Sequence, residues 1–465
     1  MSMRPPERRA SGRSERDGLA RRRPGTEKAA EPVPHPTRPA APNARRIALD
    51  VLDRVLGPDH RPFDETFQGH PLLGRLAVRD RAFARLLVTT VLRRLGQIDH
   101  TALPMLRFRP KELTVTNLLR LGAAQLLFLS TPPHAAVAET VRLAAGGFRR
   151  EMPMLNAVLR RLAAEGRERI AGQDAARLNT PKWLWESWAA AYGEEQARAI
   201  AAAHQIEPPL DLSVRRNPEH WAEALGAEIL PTGSLRRRSG GLVDALPGYD
   251  EGAWWVQDAA AALPALLLGK VQGQRVLDIG AAPGGKTAQL AAMGGKVTAV
   301  ERSPRRAEFL VRNLGRLSLD AEIIVADAAE WRPPTQFDAV LLDAPCTATG
   351  TIRRHPDVPW AKSPADVARL ADAQGKLLES AVGFIAPEGR LVYAVCSLQP
   401  EEGPQRIEAL LATDARVERD PIRADELHGL PVGLTEAGEV RTLPSDLAAS
   451  GGLDGFFIAR LRRRT

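Results

Sequence analysis

After Gly252 the chain settles into short β-rich runs separated by helical stretches: Arg275 to Ile279, Lys296 to Glu301, Glu322 to Ala326, Phe337 to Asp343 and Arg390 to Cys396. Alternation of this kind implies a parallel sheet wrapped by helices, and such sheets bind their ligands at the carboxyl ends of the strands. The motifs with chemical content fall at those ends.

The first of them is Val276-Leu277-Asp278-Ile279-Gly280-Ala281-Ala282-Pro283-Gly284-Gly285-Lys286-Thr287, a turn of small residues between a strand and a helix. Small residues let backbone approach a ligand closely at a helix N-terminus. Ala281, Ala282 and Pro283 interrupt the GxxxxGK[ST] spacing that cradles phosphates, so a nucleoside triphosphate is the poorer reading. Glu301 ends the next strand, where a carboxylate accepts from both ribose hydroxyls. Asp327 ends the third, placed for an adenine amino group, and Asp343 ends the fourth. Each alone reads equally as a helix cap, but together they favour an adenosyl ligand without phosphates.

Only two cysteines occur, Cys346 and Cys396, which excludes a disulfide framework and a four-cysteine zinc site. Both sit at strand ends, in Asp343-Ala344-Pro345-Cys346-Thr347 and Val395-Cys396-Ser397, flanking the adenosyl loop. The plain reading of a cysteine is a small buried hydrophobe, but this placement suits nucleophilic chemistry on a pyrimidine. Carbon 5 of cytosine is a poor nucleophile until a thiolate adds at carbon 6 and converts the ring to an enamine. Asp343 can bond the cytosine edge and favour protonation at N3. The second cysteine can assist release.

Ahead of this region the chain reads differently. Residues 1–43 are rich in Arg, Pro, Ala and Ser with few large apolar side chains, the composition of a disordered basic tail. Over 44–165 apolar residues recur at helical spacing (Ile47, Val51 and Val55; Phe83, Leu87 and Val91; Leu118, Leu121 and Leu129; Val137, Val141 and Ala144), which predicts an all-helical domain. Pro132-Pro133 and Gly146-Gly147 punctuate it. Its arginines Arg85, Arg93, Arg94, Arg120, Arg149, Arg150, Arg160 and Arg161 read as a solvated face with some leaning toward RNA. Residues 175–250 predict a small linking α/β domain whose Trp183, Trp185 and Trp188 pack a core. The net charge of +8 favours a polyanionic partner. No apolar run reaches the roughly 20 residues of a membrane span, and the N-terminus lacks a secretory h-region, so a cytoplasmic location is expected.

The stretches Leu342 to Trp360 (LDAPCTATGTIRRHPDVPW) and Leu391 to Glu402 (LVYAVCSLQPEE), with Arg441 to Pro444 and Asp454 to Leu461, resemble the bacterial ribosomal RNA small-subunit methyltransferase B (Sun/Fmu) proteins of the Nol1/Nop2/Sun group. Leu118 to Leu127 and Asn156 to Leu162 resemble the RNA-binding antitermination factor NusB. The resemblance implies a multidomain chain: a NusB-like helical domain, the linking domain, and a Rossmann-like class I methyltransferase domain over 251–465. It implies S-adenosyl-L-methionine as cofactor, with contacts from Gly280, Ala281, Ala282, Pro283, Gly284, Gly285, Lys286, Glu301, Asp327 and Asp343. It implies Cys396 as nucleophile, Cys346 as the residue that assists elimination or proton removal, and no metal. The partner it implies is small-subunit ribosomal RNA with the target cytosine unpaired or flipped out, acted on by a monomer. Transfer RNA as substrate, a non-catalytic assembly factor and DNA methylation are the rival readings. The sequence departs from the family where Gly280 replaces a common Cys, Val395 a Thr, Ala348 a Gly and Glu301 an Asp. None of these removes a needed functional group, although Glu301 must reach the ribose from a longer arm.

Overall fold

The structure is a computed structural model that describes residues 43–238 and 241–465; apart from Asn43, the expected basic tail lies outside the described residues. Helices Ala44–Val55, Phe63–Gln68, Val78–Arg93, Leu95–Ala102, Leu113–Leu127, Pro133–Ala144 and Met152–Ala171 form the first part of the chain. Asn43 begins the first by accepting from the Arg45 N–H at 2.8 Å, the side-chain cap that an orphan helix donor needs. Ile47, Val51 and Val55 then recur on one stripe and are all buried. Pro133 opens its helix where a missing N–H costs nothing. Several arginines read as a solvated face are instead held within the structure. Arg120 pairs with Asp99 at 2.6 Å, Arg85 with Asp64 at 2.8 Å, and Arg94 reaches Gln205 at 3.1 Å.

Helices Ala175–Leu178, Lys182–Tyr192 and Glu194–Ala203 lead into a small antiparallel sheet of β1 (Leu210–Val214), β2 (Glu228–Ile229), β3 (Leu235–Arg237) and β4 (Trp254–Val256), in the order β2-β3-β1-β4. Trp188 and Trp254 are fully buried, so these indoles pack cores rather than offering a stacking platform. The fully buried Arg236–Asp211 pair, at 2.6 Å, ties β3 to β1.

The remainder builds a mixed sheet from β5 (Arg275–Ile279), β6 (Lys296–Glu301), β7 (Glu322–Val325), β8 (Phe337–Asp343), β9 (Ile385–Val395), β10 (Val417–Arg419), β11 (Gly433–Leu434), β12 (Val440–Arg441) and β13 (Phe457–Arg463). Strands β9-β8-β5-β6-β7 are parallel neighbours in that order. Their side chains are apolar on both faces, as expected where helices cover both sides. The parallel sheet expected from the sequence is therefore the core of a larger one. β13 runs antiparallel to β9, with Phe457 opposite Val395, and β12 and β10 pair antiparallel to it. Between β9 and β13 the chain passes through the helix Pro404–Thr413 and strands β10, β11 and β12, and it then returns antiparallel to β9. The fold is thus a helical domain, a small α/β unit and a Rossmann-like α/β domain. Among the described residues no helix is long and apolar enough to cross a membrane.

The stretch after β8 joins these parts. The Phe63 N–H donates to Asp357 at 3.0 Å, Arg93 donates to the Arg353 carbonyl at 3.0 Å, and the Trp360 indole donates to the Leu92 carbonyl at 2.9 Å. The Arg353 side chain is 1% exposed and pairs with Asp258 at 2.6 Å and Asp454 at 2.7 Å. Arg354 pairs with the same two carboxylates. Burial opposes ionisation of Asp258, but Arg354 and Arg353 outweigh it and hold the carboxyl well below its ordinary range. Asp258→Ala leaves the buried Arg353 and the partly buried Arg354 guanidinium groups short of an acceptor, and removing one partner of such a network costs about 3–5 kcal/mol. Urea unfolding is expected to show that loss, and an unmoved midpoint would show that the network contributes nothing.

Candidate active site

β5 ends at Ile279 and the chain turns sharply through Gly280, whose φ is 79°. A Cβ there would stand 2.3 Å from the Asp343 carbonyl oxygen, so only glycine lets the two strand ends lie this close. Gly284, at φ 107°, starts the helix Gly285–Ala292, and a Cβ there would meet a Leu310 methyl at 2.6 Å. Beneath the loop Asp278 is fully buried. The Thr287 hydroxyl donates to its Oδ2 at 2.6 Å, while its Oδ1 has no partner.

The helix that begins at Gly285 carries Lys286 to Asp343, Nζ to Oδ2 at 2.7 Å. Burial disfavours the ammonium, but Asp343 prevails and holds the Lys286 pKa above its ordinary value. This pair, residues Ala281 to Gly285 and Cys396 line one cleft of about 550 Å³. Trp255, Gln257, Arg354, His355 and Phe456 complete that wall. None of these five was singled out from the sequence. Arg354, His355 and Phe456 lie within the stretches quoted for the family resemblance, while Trp255 and Gln257 precede the helix Ala259–Leu267, which Asp258 caps by accepting from the Ala260 N–H at 2.9 Å.

Gly280, Glu301, Asp327 and Cys346 are not among the residues lining this cleft; Glu301 touches its loop and Cys346 touches Cys396, while Asp327 follows β7, two strands from the glycine turn. Glu301 ends β6 and is buried. Its carboxylate accepts from the Ala282 N–H at 3.3 Å and the Ser303 N–H at 2.9 Å, and pairs with Arg306 at 3.4 Å. It therefore braces the loop from behind. Asp327 follows β7 and accepts from the Ala329 N–H at 3.0 Å. Carboxylates thus stand at the ends of β8, β6 and β7, on either side of the glycine turn. Three carboxylates at strand ends around one loop disfavour an anionic ligand and suit a cationic one with hydroxyls to donate. Residues Ala281 to Gly285 line the cleft, where backbone can meet such a group, so the residues present fit an adenosyl sulfonium.

Cys346 and Cys396 follow β8 and β9, which are adjacent, and their sulfurs lie 3.5 Å apart. The contact with Cys396, then burial, push the Cys346 thiol well above its ordinary value. Cys396 instead faces the Lys286 ammonium, which feels its charge. Two chemically identical residues therefore occupy different fields: one thiol is kept protonated, and the other lies near a cation.

Residues 265–462 match the family described as 16S rRNA methyltransferase RsmB/F, and residues 42–164 match the NusB family. The chain is 35% identical to the ribosomal RNA small subunit methyltransferase B of Cronobacter sakazakii over 85% of its own length and 93% of that protein. It is 37% identical to the protein of that name from Klebsiella pneumoniae, with the same coverage. To that from Pseudomonas syringae pv. tomato it is 37% identical, over 84% of this chain and 90% of the relative. Among solved structures, PH0851 superposes with a TM-score of 0.72 at 23% identity, covering 90% of this chain and 98% of that one. NSun6 from Pyrococcus horikoshii with SFG superposes at 0.54 and 18% identity, over 61% and 98%. At those identities both likenesses speak to fold.

Burial pushes Asp278 up to about 7, against the Thr287 hydrogen bond and with help from Asp343, where an unperturbed carboxyl titrates near 3.8. The native state then holds a proton that the unfolded chain has released. The stability this group contributes is present below its unfolded value and is lost as pH rises toward its folded one. Asp278→Asn mimics the protonated form throughout. Chemical denaturation at about pH 5 and about pH 7.5 is expected to show the variant gaining on the wild type at the higher pH. A stability difference indifferent to pH would show that Asp278 holds no proton.

Proposed function

The chain belongs to the RsmB/F family of 16S rRNA methyltransferases, and from that premise we propose that it methylates carbon 5 of a cytosine in small-subunit ribosomal RNA through a covalent adduct on Cys396. The observation that carries this reading is the placement of Cys396 in the cleft formed by the Ala281–Lys286 loop, with a second thiol 3.5 Å away. S-adenosyl-L-methionine, when bound, supplies an electrophilic methyl group. Gly280 to Lys286, Glu301, Asp327 and Asp343 are the residues proposed to hold it, the first run by backbone contact and the carboxylates by accepting from hydroxyl and amino groups.

The remaining chemistry belongs to the protein. Cys396 Sγ adds to carbon 6 of an extruded cytosine, which makes carbon 5 nucleophilic. Lys286 stabilises the thiolate before attack and fixes the Asp343 carboxylate, which is proposed to accept from the cytosine edge and favour the protonated ring. After methylation carbon 5 must lose its proton. Cys346, 3.5 Å from the nucleophile and protonated at the outset, is proposed to give its proton to the departing Cys396 sulfur and, as the thiolate so formed, to take the carbon 5 proton, so that β-elimination leaves both cysteines as thiols. The reading carries with it a cytoplasmic enzyme acting as a monomer on RNA.

Purified small-subunit RNA and transfer RNA incubated with labelled methyl donor are expected to show methylation of the former. Cys396→Ala is expected to abolish it, and labelling that survives this change would remove the assigned nucleophile. Cys346→Ala is expected to slow turnover by roughly 10²-fold, the size of a lost proton-transfer group, and to accumulate RNA covalently joined to protein. Labelling of transfer RNA alone would overturn the substrate and leave the chemistry standing.

A further inference from the structure

Glu402 has no part in the chemistry above, yet it is fully buried, and no arginine or lysine among the described residues pairs with it. Its carboxylate is satisfied by neutral donors. Oε1 accepts from the Thr347 N–H at 2.9 Å and from the Gln374 amide at 3.2 Å. Oε2 accepts from the hydroxyls of both Thr347 and Ser397. Thr347 follows Cys346 in the chain and Ser397 follows Cys396. One carboxylate therefore holds the residue next to each cysteine. Gln374 extends the same clamp by donating to the Pro345 carbonyl at 2.9 Å, and the Tyr393 hydroxyl anchors Glu402 itself through its backbone carbonyl at 2.6 Å.

Resting on the reading of the two thiols given above, we propose that Glu402 is a positioning residue that sets the distance between the sulfurs by gripping both cysteine-bearing turns at once. A buried carboxylate with no cation nearby is costly, which burial expresses by raising the Glu402 pKa. Such a group needs a compensating purpose, and the geometry supplies it. Carbons 5 and 6 of a pyrimidine are bonded neighbours, so the group that adds at one and the group that clears the other must be held within a few ångströms. Other contacts also join the two turns, Gly350 N–H to the Cys396 carbonyl at 2.9 Å and Leu398 N–H to Thr349 at 2.9 Å. These contacts, and the 3.2 Å approach of the Thr347 and Ser397 hydroxyls, do not involve Glu402.

The test compares Glu402→Asp, Glu402→Gln and Glu402→Ala with Glu401→Gln, the exposed neighbour. Aspartate keeps the charge but is one methylene too short to span both turns. Glutamine keeps the span, and the two hydroxyls can turn to accept from its amide. Under single turnover, Glu402→Asp and Glu402→Ala are expected to be slower by about 10- to 100-fold, the cost of a misplacement of about 1 Å, with RNA KM and donor Kd within about twofold. Glu402→Gln is expected to recover most of the rate, and Glu401→Gln to match wild type. Binding of a trivalent arylarsenical, which bridges close thiol pairs, reads the sulfur spacing without any methylation and is expected to weaken in the same order. Aspartate outperforming glutamine in both measurements would mean that charge matters and span does not, which overturns the proposal. Wild-type arsenical binding in the aspartate variant overturns it equally, and that variant decides even if alanine fails to fold. If Cys396→Ala were to keep methylating, the nucleophile would be wrong, while the arsenical series would still judge Glu402.

Discussion

Arg353 holds this molecule together. Its guanidinium is bonded to Asp258, which begins the helix ahead of the glycine loop, and to Asp454, which precedes the last strand. Its own carbonyl accepts from Arg93 of the helical domain. Three parts of the chain thus converge on a residue seven positions after Cys346. Isolated, a buried guanidinium would be prohibitive. Shared with Arg354 among two carboxylates, it becomes a junction that tolerates little change in geometry, because each charge depends on the others for its solvation.

That junction explains why two cysteines on different loops can have different chemistry. The stretch bearing Cys346 is held at Thr347 by Glu402 and farther on at Arg353, and its thiol lies 3.5 Å from a second sulfur. Cys396 lines the cleft together with Lys286. The Cys346 thiol is held well above its ordinary value by the contact with Cys396 and by burial. Asp278 adds a quieter contribution: as a buried carboxyl that prefers its proton, it spares the loop another negative charge directly under Lys286 and Asp343.

The parts legible in the sequence were those set by local pattern. Four of the five strand windows after Gly252 match the observed strands to within a residue, because a buried parallel strand is a short apolar run whatever it pairs with. The glycine loop and the cysteines were legible for a similar reason, since strand ends in such a sheet are where ligands go. What could not be seen were partners distant in sequence. Asp258 and Asp454 lie 95 and 101 residues from Arg353, and nothing in an Arg-Arg dipeptide distinguishes a buried junction from a solvated surface. The same blindness made Arg85, Arg93 and Arg120 look like parts of an open basic face. Antiparallel β13 was unread because its partner β9 lies on the far side of a helix and three short strands, so no hairpin pattern announces the pairing.

The helical domain bears on the site through mechanics, whatever its own ligand. Asp357 and Trp360 anchor the stretch after Cys346 to Phe63 and Leu92, while Trp188 and Tyr192 reach Gln399 and Leu398 just past Cys396. Both cysteine loops therefore have one end in the sheet and the other in helices outside it. Packed interfaces of this density shift as units rather than deforming residue by residue. A shift of the first helices would carry the far end of the Cys346 loop, and a shift of the helix Lys182–Tyr192 that of the Cys396 loop, so the spacing of the sulfurs depends on helices that lie outside the large sheet.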